Sequence, residues 1–404
     1  MKILQVNCVY QKGSTGKIVA DIHFELLKQG IQSVVCYGRG KQIKQPSIYK
    51  TCSEWYSKFN HLFTRFSGIM YGGLFFSTQK LISIIEQEQP DIVHLHCING
   101  YFLNIYRIVS YLKKHKVNTV LTLHAEFMYT ANCGISYECE KWKTGCGNCS
   151  NFKRYTESYF IDGTHRSWTL MKKAFDGFDN LVVTSVSPWL ESRAKQSPIL
   201  GHAQHTTVFN GLDTSIFKCY NNLNTREKYG IDQYQSLVFH ATASFATDIL
   251  SLKGGRFVCE LAKRCPNVLF VVAGPYASGL DIPVNVKLLG KVSDQVELAK
   301  LYSMADVTLI TSRRETFSMV TAESLCCGTP VVGFKAGGPE SIAIQDFSFF
   351  VDYADVDSLQ RALNKFMKSQ WNREQLSKKA QSFYSREVMT HNFIQVYNQI
   401  LNTK

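Results

Sequence analysis

Short runs of consecutive apolar residues recur along the chain, and most are followed by a stretch whose apolar residues fall three and four apart. The first run is KILQVNCVY, after which GSTG opens the amphipathic segment KIVADIHFELLKQG. QSVVCYGRG predicts a second strand, and residues from about 53 to 88 predict a helical, aromatic-rich region. DIVHLHCIN predicts a third strand, NIYRIVSYLKKHK a helix, and NTVLTLHAEF a fourth strand. A cysteine-bearing segment interrupts there, before a helix over roughly 163–177 and the strand LVVTSVSP. The strands are unbroken apolar runs rather than alternating ones, and their connections are helical. That combination marks a parallel sheet covered on both faces.

The pattern then restarts. SLVFHATAS, NVLFVVAGP, VKLLGKV, DVTLITS and TPVVGFKAGG predict strands, separated in part by the helices GGRFVCELAKRC, DQVELAKLYSMA and SMVTAESLCCG. The fold class is therefore α/β, with two doubly wound Rossmann-like domains expected to face each other across a cleft. Ligands in such sheets sit at the carboxyl ends of the strands. The expected boundaries are 1–205 for the first domain, with a cysteine-rich insertion at about 130–150, and 206–384 for the second. The last helix, about 385–404, is a candidate for packing back on the first domain.

At 404 residues the chain can bury two cores, and with 45% hydrophobic and 19% charged residues it is an ordinary globular chain rather than a disordered one. It holds no run near the roughly 20 apolar residues a membrane-spanning helix needs, and it opens without a leader-like apolar stretch, so a cytoplasmic protein is expected. Charge changes the picture more. Lys and Arg number 45 against 32 Asp and Glu, a net of +13. Residues 1–200 hold 24 basic and 14 acidic residues, whereas 201–404 hold 21 and 18. A basic first half points to an anionic partner. Nucleic acid is not expected, because no ribonucleoprotein motif, zinc-finger helix or arginine-rich tract is present. Arg65, Lys113, Lys114 and Lys116, together with Phe59, Phe63, Phe66, Tyr71, Phe75 and Phe76, suggest peripheral docking on the inner face of the cytoplasmic membrane. The plainer alternative is that the aromatics are core and the lysines solvate a helix.

Candidate chemistry gathers in the second half. Arg314-Glu315-Thr316-Phe317-Ser318-Met319-Val320-Thr321-Ala322-Glu323 places two carboxylates eight positions apart, at a strand end and within the next helix. Eight residues is slightly over two helical turns, so the two can share a face, with an anion-binding helix start between them. One carboxylate would then serve a sugar's hydroxyls and the other a ribose. Otherwise Glu315 caps the helix and Glu323 is a surface residue. Lys253, in Leu252-Lys253-Gly254-Gly255, is placed to meet a diphosphate as a point charge. Gly13-Ser14-Thr15-Gly16 forms a second glycine turn, but Gln11 replaces the leading glycine of a P-loop and Ile18 stands where magnesium needs Ser or Thr. His124, at the end of a strand, is either a structural histidine or a cleft group. Cys133, Cys139, Cys146 and Cys149 are spaced C-x5-C-x6-C-x2-C, with Gly145 and Gly147 freeing the final knuckle. A structural zinc, reduced thiols and a disulfide pair are the alternatives. A catalytic metal is not expected, since four thiolates leave no open coordination position. The other nine cysteines read as small core residues.

Taken together, these residues resemble the retaining glycosyltransferases of the GT-B class, family four. The Glu315 and Glu323 pair resembles that family's E-x7-E motif and runs on into Gly328-Thr329-Pro330-Val331-Val332 and Gly337-Gly338-Pro339-Glu340. Asn210-Gly211-Leu212-Asp213 with Phe217 resembles its interdomain linker, and the segment from His124 to Cys149 resembles a cysteine-bearing branch among colanic-acid, capsule and O-antigen transferases.

The resemblance implies sugar transfer from a nucleotide-diphosphate sugar, a UDP- or GDP-sugar, to a lipid-linked or soluble glycan acceptor, with retention and without an essential cofactor. It implies that Glu315 contacts the donor sugar, Glu323 the ribose and Lys253 the diphosphate, and that His124 contacts the sugar. Gly13, Gly16, Phe317, Ser318, Met319 and Val320 complete the implied donor site. The donor's phosphate would act as base in a same-face substitution, with a covalent intermediate on Glu315 as the alternative. Three departures stand out: the arginine usual before the lysine–glycine pair is missing, Ser318 replaces a glycine, and Ala125 replaces an acidic residue. The other classes open to the sequence are a nucleotide-sugar epimerase of the same fold and a zinc-module nucleic-acid-binding protein.

Overall fold

The structure, a computed structural model, describes residues 1–221 and 223–402. Contacts divide the chain into two units, Met1–Gly211 with Met389–Lys404, and Leu212–Val388. The expected boundary at 205/206 thus falls at 211/212, and the second at 388/389.

The first unit is built on a parallel sheet of seven strands, β1 (Lys2–Val9), β2 (Gln32–Arg39), β3 (Ile48–Lys50), β4 (Ile92–Leu95), β5 (Thr119–Leu123), β6 (Leu181–Ser185) and β7 (Gln204–Thr207), in the order β3-β2-β1-β4-β5-β6-β7. The second has six, β8 (Leu237–Ala241), β9 (Leu269–Ala273), β10 (Val286–Gly290), β11 (Val307–Ile310), β12 (Val331–Phe334) and β13 (Ser348–Val351), in the order β10-β9-β8-β11-β12-β13. The central strands β4, β5, β6, β11 and β12 are buried along their whole length, as their apolar runs require. Three strands escape the apolar-run signal. β3 is three residues long, β7 reads QHTT and is partly exposed, and β13 lies at the edge of its sheet. An edge strand keeps one side wet and so loses the continuous apolar pattern.

The aromatic-rich region is two helices rather than one. Helix Glu54–Ser67 ends at Gly68, whose φ of 69° gives a left-handed cap with its N–H on Thr64 O. A side chain at Gly68 would also strike the backbone of Ile161 and Gly163. The chain then turns and starts helix Phe76–Glu88. Tyr71, in that turn, was expected at an exposed aromatic surface. It is buried instead, with its ring between those of Tyr101 and Phe127, at 4.9 and 5.1 Å.

The final helix, Arg386–Asn402, presents Met389, Phe393, Val396, Tyr397 and Ile400 at three- and four-residue spacing. These side chains pack with Ile3, Ile18, Ile22, Leu26, Ile92, Val120 and Val182 in the first unit. Full burial of such a side chain contributes about 2 kcal/mol of transfer free energy, enough in sum to hold a helix distant in sequence. Among the described residues no helix is long and apolar enough to cross a membrane.

Candidate active site

In the second sheet β8 and β11 are neighbours, yet the chain leaves β8 toward β9 and β11 toward β12, on opposite sides. This divergence is the topological switch point, where a parallel sheet opens a crevice at its carboxyl edge. Lys253 lies beyond β8 and Glu315 beyond β11. Their side chains meet there: Lys253 Nζ is 2.8 Å from Glu315 Oε1, which also accepts from Ser312 Oγ at 2.7 Å.

Backbone contacts set that meeting. Thr311 Oγ1 donates to Lys253 O at 2.8 Å, and Arg313 N donates to Leu252 O at 2.9 Å. Glu315 N donates to Ala336 O at 2.9 Å and Glu315 O accepts from Gly338 N at 2.8 Å. Glu340 in turn accepts from Ala336 N and Gly337 N, at 2.9 and 2.7 Å. Two glycines permit this knitting. Gly254, at φ 66°, lies where any Cβ would collide with the Thr311 carbonyl, and a Cβ at Gly338 would collide with the Phe317 amide.

The two carboxylates do not share a helical face. The helix runs Met319–Cys326, so Glu315 precedes it by a three-residue loop and does not cap it. The cap is Ser318, whose Oγ accepts from Thr321 N, and whose φ of 82° is left-handed. This conformation accounts for the glycine the resemblance places here. Phe317 is buried, whereas Met319 and Val320 are part-exposed in the first turn. Glu323, further along, is neither free nor fully exposed: its Oε2 accepts from Tyr302 Oη at 2.8 Å. Burial first and the Glu323 charge second push the Tyr302 phenol well above its ordinary pKa, so it stays a donor.

His240 completes this crevice and was not anticipated from the sequence. It lies on β8, 3% exposed, with Nδ1 2.9 Å from Leu309 O and no partner on Nε2. Burial holds its pKa down at about 4, opposed by the Leu309 carbonyl and the Glu315 charge and aided by the Lys253 charge. The signal was present, since His240 heads the HATASFATDILSLKGG segment from which the expected arginine is missing.

The first unit has its own switch point, between β1 and β4. After β1, Gly13 (φ 67°) opens helix Gly13–Lys28 without a side-chain cap, leaving its first amides to other acceptors. Gly16 packs so closely on Val9 that a Cβ would stand 3.1 Å from the Val9 side chain. Three histidines gather at the ends of β4 and β5, His94 within β4, His96 just after it and His124 just after β5. The His94 and His96 rings are 3.9 Å apart, and His96 Nδ1 lies 3.2 Å from His124 Nε2. His94 is fixed by Tyr397 Oη at 2.7 Å and Thr122 Oγ1 at 2.6 Å. His124 is half-buried as a residue, and burial of its ring pushes its pKa down to about 4. At neutral pH it is a hydrogen-bonding group and not a cation.

Two residues beyond His124, Glu126 is fully buried and accepts from Tyr129 Oη at 2.9 Å and from Ser136 Oγ, with Arg193 3.5 Å away. This network anchors the start of the cysteine segment. Gly145 and Gly147, at φ 130° and 140°, supply its turn. All thirteen cysteines are free thiols. Burial raises the pKa of Cys133, and the charges of Cys146, Cys149 and Cys139 raise it further, so the four are electrostatic neighbours. Their sulfurs suit a thiophilic ion, but among the described residues no three His, Cys, Asp or Glu side chains stand together as ligands of one.

The geometry of the second unit has a family counterpart. Residues 251–383, which contain Lys253, Glu315 and Glu323, match the family model of glycosyl transferases, group 1. The chain is a glycosyltransferase with a group 1 domain over residues 251–383. The putative colanic acid biosynthesis glycosyl transferase WcaC of Escherichia coli is 22% identical over 99% of this chain and all of its own. An N-acetyl-alpha-D-glucosaminyl L-malate synthase of Bacillus anthracis is 22% identical, over 80% of this chain and 77% of its own. Among solved structures, Anabaena Alr3699/HepE in complex with UDP covers 99% of this glycosyltransferase with a TM-score of 0.66 at 14% identity, which places both in the GT-B fold. The GT-B fold and the glycosyltransferase activity expected from the motifs are thus those of the protein.

Proposed function

We propose that this glycosyltransferase moves a sugar from a nucleoside-diphosphate sugar to a lipid-linked glycan during surface-polysaccharide assembly, with retention of anomeric configuration. The observation that carries the reading is the Lys253–Glu315 pair at the switch point of the second sheet, 2.8 Å apart. An ammonium beside a carboxylate suits a ligand with a charged diphosphate on one side and neutral hydroxyls on the other. Glu315 accepts hydrogen bonds from the donor sugar, Glu323 from the ribose, and Lys253 neutralises the diphosphate as it departs. His124 serves the transferred sugar as a neutral hydrogen-bonding group. The bond from the anomeric carbon to the diphosphate oxygen breaks as the bond to the acceptor oxygen forms on the same face. The acceptor's proton passes to the departing diphosphate. No step uses the cysteine segment, for which a structural zinc is the proposed occupant.

Two comparisons support the substrate classes: the Escherichia coli relative is described by colanic acid biosynthesis, and the Anabaena structure holds UDP. A thermal-shift panel of UDP- and GDP-sugars tests the donor, since a specific ligand raises the melting temperature by mass action. One donor should stabilise the protein and then support transfer. A panel in which none stabilises the protein would overturn the reading, and conversion of the donor with no acceptor product would mark an epimerase instead.

A further inference from the structure

Helix Glu54–Ser67 is turned inside out. Its buried positions are Ser57, Asn60 and Thr64, whereas Trp55, Phe59, Leu62, Phe63 and Phe66 face solvent. Those apolar residues fall at steps of four, three, one and three, so they form a single stripe. In a helix packed on a core the stripe turns inward. Here the polar side is held inward by specific bonds: Asn60 Nδ2 donates to Tyr101 O at 3.0 Å, Asn60 Oδ1 accepts from Leu74 N at 2.9 Å, and Thr64 Oγ1 donates to Ile69 O at 3.0 Å. Rotating the helix to bury the aromatics would strand these groups.

The stripe does not stand alone. Asn60 and Tyr56 tie the helix to the turn at Leu74 and Ser77, which carries Phe75 and Phe76, stacked at 5.0 Å and exposed. At its other end Tyr159 N donates to Arg65 O, bringing the exposed Tyr159, Phe160 and Ile161 beside Phe66. Trp55 is 81% exposed, Phe76 64% and Phe160 78%. A contiguous apolar surface of this kind marks an interaction site.

The charges around it select the partner. Lys58 lies over Trp55 at 5.0 Å, Arg65 over Tyr159 at 4.8 Å and Arg107 over Phe75 at 4.6 Å, with Lys153 and Arg154 on the short helix Phe152–Tyr155 that precedes Tyr159. The nearby carboxylates are already engaged, Glu54 by Arg39 and the Gly40 amide, Glu157 by His61, and Asp162 by the Cys149 amide and Thr164. Lys113, expected from sequence to join the rim, donates instead to the carbonyls of Lys173 and Asp176 at 3.2 and 2.7 Å. Aromatic side chains rimmed by cations match the headgroup region of an anionic bilayer.

We infer that helix Glu54–Ser67, with the Phe75–Phe76 turn and the Tyr159–Ile161 loop, is a membrane-inserting face for anionic lipid. The inference deepens the proposal of a lipid-linked acceptor, but its test reads vesicle binding and needs no sugar transfer, so either can fail without the other. Full-length protein is floated with vesicles of phosphatidylglycerol and phosphatidylcholine, and with phosphatidylcholine alone. Binding should need the anionic lipid and fall with salt, and each rim charge removed (Lys58→Gln, Arg107→Gln) should weaken it about fivefold. Phe59→Ser with Phe63→Ser should abolish flotation while leaving the melting temperature unchanged, because neither ring is in the core. Trp55 gives an independent reading: a blue shift of emission on vesicles that Trp55→Phe removes. Equal binding by the double variant, or no binding to anionic vesicles at low salt, would overturn the inference. So would wild-type protein eluting as a dimer that the double variant splits, because the face would then belong to a second copy.

Discussion

Lys253 and Glu315, sixty-two residues apart in sequence, share a 2.8 Å ion pair at the carboxyl edge of the second sheet. The loops that carry them are fixed by bonds to Thr311, Arg313 and Ala336 rather than by the pair itself. The pair can therefore open to admit a diphosphate without disturbing its scaffold. Glu315→Gln should abolish most turnover with little change in melting temperature, because the amide keeps a carbonyl oxygen for Ser312. Lys253→Met should lower kcat more than it raises the donor KM, as charge develops on the leaving diphosphate in the transition state. Wild-type turnover by Glu315→Gln at saturating substrates would remove it from the chemistry.

Ser318 allows a sharper test of local physics. Its left-handed φ of 82° strains a residue with a Cβ, while its hydroxyl caps the next helix at Thr321 N. Glycine relieves the strain, about 1 kcal/mol, and loses only a few tenths as a cap. Ser318→Gly should therefore be neutral to slightly stabilising. Ser318→Ala keeps the strain and loses the cap, so it should cost about 1 kcal/mol. Denaturant melts of the three proteins decide it. Equal losses for both substitutions would show that the hydroxyl, and not the backbone, sets the requirement.

These two sites also show what the sequence could disclose. The parallel sheets were legible because buried central strands leave continuous apolar runs, and Lys253 and Glu315 because they follow such strands. The spacing of Glu315 and Glu323 was misleading in its geometry, since a helix start is set by the cap at Ser318, whose φ no residue count reveals. Tyr302, the partner of Glu323, stood unremarked in DQVELAKLYSMA, because only tertiary packing brings that helix beside the next. The inverted helix hid for a related reason: periodicity finds a stripe but cannot say which side the fold buries. Asn60 settles that through contacts with Tyr101 and Leu74.

The buried histidines set a pH limit on stability. His94, His96, His124 and His240 all have folded-state pKa values below the ordinary 6.5, with His124 and His240 near 4, in each case chiefly through burial. Below 6.5 the unfolded chain binds protons that the folded chain refuses, so stability falls as pH drops from 6.5 toward 4 and is fully present above 6.5. The melting temperature should be flat from pH 7 to 8 and decline steadily below 6.5. His240→Asn, which retains a donor for Leu309 O, should make that decline shallower. A melting temperature constant down to pH 4.5 would mean that these rings titrate normally.

The cysteine segment makes a prediction about composition. Cys133 is half-buried and sits among Cys139, Cys146 and Cys149, whose charges raise its pKa beyond what burial alone does. Cys146 is likewise pushed up to about 11, by burial first. Thiols in such a group either stay protonated or share a cation that removes their mutual repulsion. Their neighbours favour an ordered segment in either case: Trp142 is buried with its ring 5.0 Å from Tyr129, and Cys149 N donates to Asp162 at 2.7 Å. With zinc present during expression, elemental analysis should find one ion per chain. Cys146→Ser should lower both metal content and melting temperature, because binding energy to the folded state alone is folding energy. Transferase activity of the metal-loaded protein should survive slow chelation at low temperature, since the segment contributes no group to the reaction. Metal-free protein with an unchanged melting temperature on zinc addition would identify the four as ordinary reduced thiols.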